Sequence, residues 1–223
     1  MLYNEGNVRE NLRNREGQRV FYLGKGDQLT SSARDWLRRE RIEILPADQA
    51  KPSRYRLLSG GYLEEKPEHM THLNGDVLVD KTHPRITFRG RLDSLEGQLL
   101  WTIHKLPQLK KPLGEILALA REIMACDVLE KQLKWDTLCG LTEEEQRRRS
   151  HFPQEFYGQP HFMPSAEDGE AILRLNRLRC AVRETELSCA HAHPGTSRTD
   201  LLRALNRMSS MVYLLMIEEK GKL

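Results

Sequence analysis

The chain has 223 residues, 39% hydrophobic and 30% charged, enough for one ordinary domain with a small appendage. Only 6% are aromatic, which is low for a β-sandwich, while Leu, Arg and Glu dominate as in helical proteins. The formal charge is +3; residues 1–66 carry 13 Lys and Arg against 10 Asp and Glu, and the remainder carries 22 against 22, which argues against a dedicated nucleic-acid binder.

The opening MLYNEGNVRE has no basic stretch followed by an apolar one, so no secretory signal is expected and a cytoplasmic location is the default. Residues 19–23 (RVFYL) predict a short strand, ended by Gly24-Lys25-Gly26-Asp27. Thr30 or Ser31 then caps a helix over 32–39, because a hydroxyl can satisfy its first free N–H groups. Residues 41–45 (RIEIL) predict a second strand before Pro46. Together these make a small α/β module over 1–50. Pro52, Ser53, Ser59-Gly60-Gly61 and Pro67 are linker chemistry, so 51–68 is expected to be a linker.

From residue 69 to 223 the expectation is helical. Leu92, Leu95, Leu99, Ile103 and Leu106 recur at three- and four-residue steps, marking one apolar stripe. Pro107 and Pro112 separate it from a second helix with Ile116, Leu119, Ala120, Ile123 and Met124 inside. A short third helix covers 143–150; its Arg147-Arg148-Arg149 run is offset by Glu143 to Glu145 and reads as a solvated face. Phe152, Phe156, Tyr157 and Phe162 populate a proline-rich loop. Ser165 caps a long helix over 166–191, and Thr199 or Ser197 opens the last, with Leu201, Leu205, Met208, Val212 and Leu215 inside. The apolar run 212–217 is far too short to span a membrane. The expected fold is mainly α, a five-helix-type bundle with a small N-terminal α/β module.

Cys126, Cys139, Cys180 and Cys189 show neither CxxC nor disulfide-framework spacing and read as small apolar fillers. His69-x-x-His72 and His191-x-His193 each lack a third ligand at convincing spacing. The penultimate helix carries Asn176, Arg179, Arg183 and Glu186 on one face, at the margin of the Leu175, Leu178, Val182 stripe. A solvated face with weak Arg–Glu pairs remains the plainer reading of that spacing. Asn206, Arg207, Ser209 and Ser210 interrupt the last helix, Asp93 stands beside Leu92, and Lys81, Arg85, Arg89 and Arg91 surround a His83-Pro84 turn. Marginal cations with one Asp and one Asn suit a polyphosphate, which needs several N–H donors and charge neutralisation. Neither GxxxxGK[ST] nor GxGxxG is present, so a nucleotide site would be of another type.

Three segments then carry a family resemblance. Lys81-Thr82-His83-Pro84-Arg85-Ile86 through Gly90-Arg91-Leu92-Asp93 resembles the "K-x-x-P-R-I…G-x-x-D" signature of PduO-type ATP:cob(I)alamin adenosyltransferases. Arg179-Cys180-Ala181-Val182-Arg183-Glu184-Thr185-Glu186 resembles their "R-x-x-x-R-x-x-E", and Leu205-Asn206-Arg207-Met208-Ser209 their "L-N-R-L-S". Thr71-His72-Leu73, the run from Leu175 to Glu186, and Leu29-Thr30-Ser31-Ser32-Ala33-Arg34 are similar to the ethanolamine-utilisation (EutT-type) branch.

The resemblance implies transfer of the 5′-deoxyadenosyl group of ATP to cob(I)alamin by a homotrimer, with Mg²⁺. It implies Asp93, Arg179 and Arg183 as catalytic residues, Asp93 pairing with Arg179 at the site between subunits. Lys81, Arg85, Arg179 and Arg183 would hold phosphates, Asn206 and Glu186 would complete the nucleotide and Mg²⁺ environment, and Phe162 would lie beneath the corrin. Ethanolamine ammonia-lyase or a bacterial microcompartment are the implied partners; nucleic acid and membrane are not expected. Branch members carry a His and a Cys-Cys-x-x-Cys motif before the "T-H-L", whereas no cysteine precedes Cys126 here, so no Fe or Zn site is expected. The alternative is a non-catalytic cobalamin- or partner-binding helical module of an ethanolamine-degrading assembly.

Overall fold

The computed structural model describes residues 1–15, 17–50 and 55–222; Pro52 and Ser53 of the expected linker lie outside the described residues. The chain divides into two units, Met1–His83 and Pro84–Leu223.

The first unit runs β1 (Leu2–Tyr3), α1 (Glu5–Glu10), β2 (Arg13–Arg15), β3 (Gln18–Leu23), β4 (Gln28–Leu29), α2 (Ser31–Arg39), β5 (Glu43–Pro46), β6 (Tyr55–Leu57), β7 (Tyr62–Leu63), β8 (Met70–Asn74) and β9 (Val77–Asp80). Among the described residues, β5-β3-β2-β7-β6-β9-β8 form one sheet in that order. The expected strand–helix–strand is present: β3 and β5 pair in parallel, and Thr30 caps α2 by accepting from the Ala33 N–H at 3.3 Å. Ala33, Trp36 and Leu37 of α2 bury against Val8, Phe21 and Ile42.

The stretch expected as linker and the start of the helical region differ from expectation. Gly60 and Gly61 take φ of 92° and 89°, a left-handed geometry that costs glycine nothing, and they turn the chain between the antiparallel β6 and β7. Residues 70–80 form the β8–β9 hairpin instead of opening a helix. Strands of two to five residues offer too little alternation to be told from loop by pattern.

The second unit comprises α3 (Pro84–Lys105), α4 (Lys110–Val128), β10 (Thr137–Leu138), β11 (Leu141–Thr142), α5 (Glu143–His151), α6 (Pro153–Tyr157), α7 (Gly169–Ala192) and α8 (Thr199–Lys220). It is a helical bundle, and the fold is mainly α. The expected stripes meet in one core: Leu92, Leu95 and Leu99 of α3, Ile116, Ala120 and Ile123 of α4, Leu175, Leu178 and Val182 of α7, and Leu205, Met208, Val212 and Leu215 of α8. α7 packs on both α3 and α8, and α5 lies against α8. No helix of the described residues is long and apolar enough to cross a membrane.

Two helix starts show local chemistry at work. α7 begins at Gly169, three residues later than expected, because Ser165 serves a tight turn ahead of it. The Ser165 N–H donates to Asp168 Oδ2 at 2.6 Å, and Ser165 Oγ accepts from the Glu167 N–H at 3.3 Å. α5 opens on a reciprocal capping box, in which Thr142 accepts from the Glu145 N–H and Glu145 accepts from the Thr142 N–H. Thr142→Ala is therefore expected to cost about 1 kcal/mol, read as a lowered midpoint in urea unfolding. An unchanged midpoint would show that α5 is held by packing alone.

Candidate functional site

The polar line of α7 is set by helical periodicity. Leu175, Leu178 and Val182 take the buried face, which leaves Arg179 and Arg183 one position round, at its margin. Arg179 donates to Asn176 Oδ1 at 3.4 and 3.1 Å through Nε and Nη2; Arg183 is exposed. Among the described residues neither guanidinium has a carboxylate at ion-pair distance. Both line a cavity of about 280 Å³, together with His161 and with Ser209, Ser210 and Tyr213 of α8. The cavity thus offers two cations, several hydroxyls and two histidines, with no acid in its lining to neutralise them.

Asn206 and Glu186 meet across α7 and α8, Asn206 Nδ2 donating to Glu186 Oε1 at 3.0 Å. The Ser209 and Ser210 hydroxyls donate to the Asn206 carbonyl at 2.9 and 3.2 Å, linking this pair to the cavity. Arg207 donates through Nη2 to the Asn206 side-chain oxygen. Its Nη1 is buried and has no hydrogen-bond partner among the described residues, and burial pulls the group below the usual arginine pKa. Phe162 is half-buried; its ring stacks on Tyr213 at 6.4 Å and lies 5.8 Å from Lys220 Nζ. Lys220 is itself paired with Asp168 at 2.5 Å, a contact that holds the Asp168 carboxyl below its ordinary range.

Two expected site residues of the second unit, Asp93 and Arg85, do not line this cavity, and Lys81 belongs to the first unit. Asp93 is exposed on α3 and makes no ion pair among the described residues. Lys81 follows β9 in the first unit and pairs with Glu68 at 2.9 Å. Arg85, expected to hold phosphate, instead serves a buried network. Its Nε donates to Asp127 Oδ1 at 3.3 Å and its Nη1 to Glu130 at 2.7 Å. One helical turn on, Arg89 Nε donates to Asp127 Oδ2 at 2.7 Å, and His193 Nε2 lies 2.8 Å from Asp127 Oδ1. The physical reason is periodicity: at i and i+4 both arginines share the face of α3 turned to Asp127, which is 0% exposed. His193 is thereby committed to a carboxylate, and among the described residues no three His, Cys, Asp or Glu side chains gather as a metal-binding group.

His151, His161 and Tyr213 were not singled out as site residues from the sequence. His161 and Tyr213 are 52 positions apart and share no periodic signal; only the aromatic richness of the loop hinted at a role.

Residues 61–219 match the family model described as Cobalamin adenosyltransferase. The chain is 37% identical over 163 residues to "Corrinoid adenosyltransferase EutT" of Salmonella typhimurium, covering 71% of this chain and 61% of that protein. It is 37% identical over 158 residues to the protein of the same name from Escherichia coli, covering 69% and 59%. The chain therefore spans about three fifths of the length of these curated relatives. No solved structure matches.

Proposed function

The chain belongs to the cobalamin adenosyltransferase family, and from that premise we propose that it transfers the 5′-deoxyadenosyl group of ATP to the cobalt of a reduced corrinoid. The observation that carries this reading is the pair Arg179 and Arg183, two guanidiniums at one cavity without a carboxylate partner among the described residues. A polyphosphate is the ligand such a pair lacks. In the reaction the cobalt electron pair forms the Co–C5′ bond, the C5′–O bond breaks, and the polyphosphate leaves with the electron pair of the C5′–O bond. The nucleophile is the reduced cobalt itself, so no Ser, Cys or His nucleophile is required. The chain's share is to hold C5′ in line and to neutralise the leaving group.

Asn206 and Glu186 provide an amide and a carboxylate beside this cavity. One carboxylate suits Mg²⁺, which keeps several waters and binds substrate phosphates rather than an all-protein cage. Arg207 Nη1, which has no hydrogen-bond partner among the described residues, is a further donor beside Asn206. Phe162 is the proposed apolar contact beneath the corrin, where excluding axial ligands favours the lower cobalt oxidation state. The product serves a cobalamin-dependent enzyme, and the ethanolamine-branch motifs support ethanolamine ammonia-lyase, inside or beside a microcompartment, as its consumer.

A homotrimer is part of the proposal. The cavity of about 280 Å³ lies open to the surface, and a neighbouring copy would close it over a ligand. Asp93 has no ion-pair partner among the described residues and is available to Arg179 of that copy. Leu100 and Trp101 of α3 and Leu173 of α7 are 49%, 54% and 40% exposed, an apolar face a second copy would cover. Sedimentation is expected to give three times the 25.9 kDa of one chain; a monomer at working concentration would contradict the shared site. Calorimetric titration with MgATP tests the nucleotide reading: saturable binding is expected, and its absence would leave the non-catalytic module as the better description.

A further inference from the structure

We propose that His161 is a positioning residue: clamped between the Tyr213 hydroxyl and the His151 carbonyl, it holds the Phe162 loop against α8 and so sets the corrinoid-facing rim of the cavity. The inference rests on the adenosyltransferase reading for its kinetic consequence, while the clamp itself rests on geometry alone.

Residues 159–165 have no secondary structure, and 159–164 make no backbone–backbone hydrogen bond among the described residues. Side chains must therefore anchor this segment. Two neighbouring ones do: His161 stacks on Tyr213 with centroids 5.8 Å apart and planes at 11°, and Phe162 stacks on the same ring. His161 Nδ1 lies 2.9 Å from Tyr213 Oη, and Nε2 lies 3.2 Å from the His151 carbonyl oxygen.

The chemistry of the partners assigns the proton. A carbonyl oxygen only accepts, so Nε2 carries the hydrogen, and the Nδ1 lone pair accepts from the Tyr213 hydroxyl. The two ring nitrogens of His161 thus tie the end of α5 to α8 through the loop. Tyr213 stands one turn beyond Ser209 and Ser210 on α8 and lines the same cavity as Arg179 and Arg183. Releasing His161 frees the only segment carrying Phe162 while leaving both arginines in place.

The test uses the full chain with His161→Ala, Tyr213→Phe, the double variant and His161→Gln, the last keeping a donor for the His151 carbonyl. Losing both hydrogen bonds together with the stack is expected to lower kcat/KM for the corrinoid about tenfold in His161→Ala. KM for ATP should change less than kcat/KM for the corrinoid, because both arginines are untouched although His161 and Tyr213 line the same cavity. The double variant should be no worse than His161→Ala, since both changes remove the same bond, and His161→Gln should recover part of the loss. Additive effects, or an equal change in ATP KM, would overturn the assignment. A second readout does not need activity: chymotrypsin should cut after Phe162 faster in His161→Ala and Tyr213→Phe than in wild type. Equal cleavage rates would overturn the clamp even if the enzyme reading holds. Faster cleavage in a protein that makes no adenosylcorrinoid would keep the clamp and remove only its kinetic role.

Discussion

Asp127→Asn is expected to destabilise the bundle by about 3–5 kcal/mol, the cost of leaving buried charges without their counter-ion. Asp127 is 0% exposed and takes hydrogen bonds or ion pairs from Arg85, Arg89 and His193 at 3.3, 2.7 and 2.8 Å. Both arginine side chains are only 13% exposed, so water cannot replace the carboxylate well. An isosteric amide keeps the shape but brings two N–H donors to a place that needs acceptors. Urea unfolding followed by helical signal measures the effect; a loss below about 1 kcal/mol would show that water or rearrangement satisfies the arginines.

The same network makes stability depend on acid. Burial pushes the Asp127 carboxyl up, but the Arg89 hydrogen bond, the charges of Arg85 and Arg89 and the His193 contact together bring it below its ordinary value. A carboxylate lowered in the folded state contributes stability that is complete above its unfolded pKa of about 3.9 and is lost as pH falls through the folded value. Wild type should therefore weaken progressively below about pH 4, and Asp127→Asn should show a shallower dependence there. Parallel acid profiles would place the acid sensitivity elsewhere.

Arg183→Ala is expected to lower kcat/KM about 10²–10³-fold, the usual cost of removing one donor from developing negative charge. Arg183 is exposed and pairs with nothing among the described residues, so the substitution removes no structural contact and the unfolding midpoint should move by less than about 0.5 kcal/mol. Arg183→Lys should recover only part of the activity, because an ammonium cannot present two parallel donors to one phosphate. Arg177→Ala, on the same helix outside the cavity, is the control. Near-wild-type turnover in Arg183→Ala would remove this residue from the phosphate clamp.

The bundle was legible because its stripes are long: α3 and α7 each repeat apolar residues over 22 and 24 positions, which no strand could imitate. The hairpins of residues 55–80 were not, since two to five residues give no usable period and Gly60-Gly61 serves a turn as readily as a linker. The Arg179, Arg183, Glu186 line was visible as spacing, and Asn206 as a polar break in an apolar helix. Arg85 looked equivalent to them by charge, yet its neighbour Arg89 at i+4 marked a different face. What sends both to Asp127, 42 and 38 residues away, is tertiary packing that charge alone does not disclose. The same holds for His161, whose partner lies on another helix and whose loop has no pattern to read.

The central claim is tested most directly by incubating the protein anaerobically with MgATP and chemically reduced cobalamin and following the visible spectrum. Conversion to adenosylcobalamin that depends on both ATP and protein is the expected result. Cob(I)alamin that persists unalkylated beside bound ATP would contradict it.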